Sequence, residues 1–105
     1  MTETLDAALK ERVRAVLDHR PVTESELRKL LEEGAACARI LDARLARIEG
    51  RLAELAADPE SSLADIAAAV RAANELRPDV GELHELLAAL DARAREFRTS
   101  WLGAR

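Results

Sequence analysis

The chain has 105 residues, with 20 acidic and 16 basic side chains and a formal net charge of −4 at neutral pH. That length suits one domain around one core, and the interspersed signs leave no basic field for nucleic acid or anionic lipid. Ala (22) and Leu (17) dominate while Val and Ile together number 8 and Phe and Trp occur once each, which argues against a sandwich or barrel and predicts an all-α fold.

A first helix is predicted over about 3–18. Leu5, Leu9, Val13, Val16 and Leu17 fall on one side, and Lys10, Glu11, Arg14 and Asp18 on the other. Pro21 ends it, because the residue before a proline avoids the helical region.

The second helix is predicted over 23–57. Thr23 and Glu26 form a capping box, and Val22 can staple onto Leu27. From Leu27 the apolar positions Leu31, Gly34, Ala38, Leu41, Leu45, Ile48, Leu52 and Leu55 alternate spacings of four and three without a slip. Such a heptad keeps one narrow seam facing a partner helix. Leu41 and Leu45 are expected at the centre of the core. Gly34 lies on the seam, where a missing side chain permits close approach or a bend, and Gly50 lies off it. Arg44 and Arg51 line one edge of the seam, Asp42 and Glu49 the other. A parallel pairing of two such helices sets Arg44 opposite Glu49, whereas an antiparallel one tends to set Arg against Arg.

Asp58-Pro59-Glu60-Ser61-Ser62 reads as a turn, with either Asp58 or Ser62 capping the next helix. This third helix is predicted over 61–76, with Leu63, Ile66, Ala67, Val70 and Ala73 inward. Pro78 is expected to break or kink the chain. Asp79 and Glu82 make another capping pattern, so a fourth helix is predicted over 80–101, its seam being Val80, Leu83, Leu87, Leu90, Ala94, Phe97 and Trp101.

These elements predict a small bundle of four helices in a single domain, residues 1–105. It is built on a long antiparallel hairpin, helix two against helices three and four, with helix one packed on one end. A sharp turn at Pro78 would instead fold helix four back into a compact bundle. In the first arrangement helix one stops near Arg44, leaving Ile48, Leu52, Leu55, Ile66 and Val70 as a candidate interface. A stripe of that kind favours self-association or a partner, since burying a Leu-sized side chain is worth about 1.5–3 kcal/mol.

The chemical inventory is thin. His19 ends helix one, where an imidazole can bond the last carbonyls, and His84 sits beside the fourth seam. Neither completes a Glu-x-x-His pair, since Val16 and Gly81 stand three residues before them. Cys37 adjoins the seam and reads as a small apolar residue. No catalytic residue, cofactor site or metal site is assigned. The expected function is a non-enzymatic interaction or assembly module acting on a protein partner or on itself, most simply as a homodimer. The alternative is a regulator binding DNA through a helix-turn-helix-like segment over 23–51, with Gly34 in the turn, or a small ligand between helices near Cys37 and Trp101. A lone cysteine, the absence of a signal-peptide pattern and the absence of any stretch near the ~20 apolar residues of a membrane span make a cytoplasmic location the expectation.

Overall fold

The computed structural model describes the backbone of residues 2–18 and 20–103, and side chains over residues 6–18 and 20–100. The described residues form three helices and no strand: α1 (Thr2–Leu17), α2 (Glu24–Ala57) and α3 (Leu63–Gly103).

Local chemistry sets the ends of α2 and the start of α3. Thr23 is extended, with φ −83° and ψ 159°, and its hydroxyl accepts from the Glu26 N–H at 3.1 Å. This satisfies one of the N–H groups that the first turn leaves without a helical partner. At the other end the Asp58 N–H donates to the Leu55 carbonyl, and the Asp58 carboxylate accepts from the Glu60 N–H at 2.9 Å, closing a tight turn. The cap of α3 is Ser62, whose hydroxyl accepts from the Asp65 N–H at 3.0 Å.

The break expected at Pro78 does not occur; α3 runs through it, so there are three helices rather than four. The proline removes the bond that residue 78 would donate to the Asn74 carbonyl. Asn74 and Pro78 are both exposed, so water can take that carbonyl. The apolar seam of α3 keeps its register across the proline: Ile66, Ala69, Ala73, Leu76, Val80, Leu83, Leu87, Leu90, Ala94 and Phe97 alternate spacings of three and four. Packing against α2 on both sides of residue 78 outweighs the local preference of Arg77 for extended backbone.

Contacts between α2 and α3 occur in reverse order along the chain. Glu49 meets Arg77 at 3.7 Å, Asp42 meets His84 at 2.9 Å, and Gly34 meets Leu87, so the two helices are antiparallel. The helix α1 runs back along α2, with Arg12 and Glu33 joined at 2.7 Å, and packs more extensively on α3 than on α2. The result is a rod of 68 × 22 × 17 Å.

Its core is one-ended. Leu9, Val13 and Val16 from α1 meet Leu27, Leu30, Ala38 and Leu41 from α2 and Val80, Leu83, Leu90 and Ala94 from α3. Beyond the reach of α1, the only buried apolar side chains among the described residues are Ala69 and Ala73. This accounts for Leu45, expected at the centre of the core, being only half-buried. On α3 the inward set also differs from expectation: Ala69 is buried, while Ala67, Val70 and Leu63 are exposed, Leu63 at 84 %.

The glycines of α2 differ in what surrounds them. A Cβ at Gly34 would overlap the Leu87 side chain, which occupies the space the glycine leaves. At Gly50 a Cβ would meet nothing within 4 Å. Gly50→Ala should therefore raise stability by about 0.5–1 kcal/mol through helix propensity alone. Thermal melts followed by circular dichroism check this, and a loss of stability would mean that the helix is not regular there.

Candidate functional site

Two features could carry function: a buried charge cluster between α1 and α3, and the half of the α2–α3 pair that α1 leaves uncovered. The cluster was not anticipated, because Lys10 falls on the helical face opposite Leu9 and Val13 and reads as solvated. In the structure Lys10 is 5 % exposed and Asp6 is 8 % exposed. The Lys10 ammonium lies 3.1 Å from the Asp6 carboxylate one helical turn away, and 3.8 Å from Asp79 and 4.0 Å from Glu82 on α3. Arg14 pairs with Glu82 as well. Asp79 and Glu82, read as a helix start, instead hold α1 against α3 from the middle of a continuous helix. The other oxygen of Asp6, Oδ1, is buried without a hydrogen-bond partner. Such a cluster orients α1 on α3 through its charges.

The remaining titratable candidates are separate from one another. His84 is exposed and its Nε2 pairs with Asp42 at 2.9 Å, on the flank of the rod that also carries Glu49 and Arg77. His19 and the side chain of Trp101 lie outside the described residues. Cys37 lines a groove of about 330 Å³ with Leu9, Ile40 and Leu41, and the Arg12–Glu33 pair lies at its rim. Burial pushes the Cys37 thiol up, with the Asp6 charge adding to the effect. Cys37 should therefore react more slowly with iodoacetamide at about pH 7.5 than the same thiol in the urea-unfolded chain, because the thiolate is the nucleophile. Mass spectrometry of the alkylated fraction measures this; equal rates would mean that the thiol is not covered.

Among the described residues no three His, Cys, Asp or Glu side chains come together in a way that could hold a metal ion, and no helix is long and apolar enough to cross a membrane. The segment 23–51, considered as a helix-turn-helix, lies within one unbroken helix after its cap at Thr23. Gly34 makes room for Leu87 rather than a turn, so no second helix is set at an angle to enter a groove of DNA.

The candidate interface residues fall in the uncovered half. Ile48, Leu52, Leu55 and Ile66 are half-buried along the α2–α3 seam, and Val70 is 38 % exposed. Leu63, expected inward, stands seven residues before Val70 and so shares its flank, with Arg77 and His84 further along. On the opposite flank Ile48 lines a second groove together with Leu41, Arg44, Ala72, Glu75, Leu76 and Asp79. No protein-family model matches the chain, and no curated protein and no solved structure matches it either.

Proposed function

We propose that the protein is a non-enzymatic helical interaction module that associates with a second copy of itself through the uncovered half of the α2–α3 pair. The observation that carries this reading is the exposure of Leu63 at 84 % and Val70 at 38 % on one flank, beside the half-buried Ile66 and Leu52. Apolar residues grouped in this way mark interaction surfaces more often than single exposed leucines do. The exposed Ala67 beside them adds a small side chain that lets another helix approach closely. Closed twofold dimers are the commonest assembly of identical chains. A cytoplasmic location fits the lone thiol.

The test is light-scattering mass measurement behind a sizing column. The unmodified chain should elute as a dimer, and a variant with both Leu63→Asp and Val70→Asp should elute as a monomer with unchanged helicity. Both positions are exposed, so the substitutions leave the core intact. A dimer that survives the double substitution places the interface elsewhere.

A further inference from the structure

The opposite flank of the rod has a different character. There α1 occupies the first half of a track between α2 and α3, and a groove of about 190 Å³ beside Asp6 opens on the other half. Its floor is apolar, from Ile48, Ala72 and Leu76, and its two edges differ in charge: Arg44 on α2, Glu75 and Asp79 on α3. Heptad spacing carries the charges outward, since Arg51 follows Arg44 by seven residues on α2 and Asp65 precedes Asp79 by two heptads on α3. In the neighbouring half of the track α1 already meets α3 in this way, directing Lys10 and Arg14 at Asp79 and Glu82, while it meets α2 through Arg12 and Glu33.

We propose that this groove docks a short amphipathic helix from another protein, oriented by basic side chains against Glu75 and Asp79 and acidic ones against Arg44 and Arg51. The small residues of α3 along the track, Ala72 and by heptad spacing Ala68 and Ala69, allow the incoming backbone to lie close. A second copy of the chain fits this track poorly. Turned end for end, it sets Arg44 and Arg51 against their own counterparts and the acidic edge of α3 against itself. Laid in the same sense, it brings the two α1 helices to one place. Opposite charges along both edges come only from a helix with a basic and an acidic flank, and charge of this kind sets orientation and partner choice more than strength. The site lies on a different flank from the self-association surface, so the two stand or fall separately.

The probe is a fluorescein-labelled, hydrocarbon-stapled peptide of about three helical turns, with a Leu and Ala stripe, lysines along one edge and glutamates along the other. Fluorescence anisotropy against the full chain should give saturable binding. Exchanging the edges on the protein (Arg44→Glu with Glu75→Lys) should weaken that peptide at least about tenfold and favour the peptide with its edges exchanged. The single variant Glu75→Gln, at an exposed position, should weaken binding less while leaving the melting curve unchanged. The dimer-surface variant (Leu63→Asp with Val70→Asp) should bind as the unmodified chain does. The proposal is overturned by absence of saturable binding, by binding indifferent to the charge exchange, or by a peptide that binds only as the dimer dissociates, since the groove would then belong to a second copy.

Discussion

Leu83→Ala should destabilise the protein by about 2–5 kcal/mol, the range for a fully buried leucine whose removal leaves a cavity. Leu83 is 0 % exposed and lies in the core cluster with side chains from all three helices. It follows Pro78 by little more than one turn, so its burial depends on α3 continuing straight through the proline. Arg47→Ala, at an exposed position off the α2 seam, should change stability by less than about 0.5 kcal/mol. Urea denaturation followed by circular dichroism separates the two. Similar losses at both positions would mean that the core is not concentrated under α1.

Lys10→Met should cost about 3–5 kcal/mol, the usual result of removing one partner from a buried ion pair. The loss comes less from the missing attraction than from Asp6, which stays buried as an uncompensated charge with one oxygen already lacking a hydrogen-bond partner. Changing Asp6→Leu together with Lys10→Met should recover most of that loss, because a well-packed apolar pair replaces both charges. The coupling energy from a double-mutant cycle measures the interaction directly. A cost below about 0.5 kcal/mol for Lys10→Met alone would mean that the ammonium is hydrated at the edge of α1.

Those two positions also show which parts of the fold were legible in the sequence. The helical class follows from composition and heptads, and the caps at Thr23 and Ser62 follow from local chemistry that acts within four residues. Pro78 misleads because the rule it obeys is local, whereas α3 is held on both sides of it by residues of α2 some 30 to 50 positions away. A sign was present: the seam from Val80 can be traced back through Leu76, Ala73 and Ala69 to Ile66 without a slip, which a real break would not require. Taking Ala67 and Val70 as inward hid that continuity. Lys10 misleads for a related reason: its nearest partner Asp6 lies in α1 itself, but both are buried by the packing of α1 against α3, where Asp79 and Glu82 stand. Among the candidate interface residues, exposure could not be graded from the seam alone. Whether Ile48 or Val70 faces outward depends on which flank α1 occupies and where it stops.

The uncovered half of the rod links the fold to the proposed role. Its alanines and half-buried leucines are too sparse to make a second core, yet the two helices continue for about 15–20 Å past α1. Sedimentation equilibrium of the unmodified protein at micromolar concentration is the most direct measurement of whether that extension serves self-association. A dimer predicts a buoyant mass corresponding to twice the 11.5 kDa chain; a clean 11.5 kDa monomer across the concentration range would contradict it.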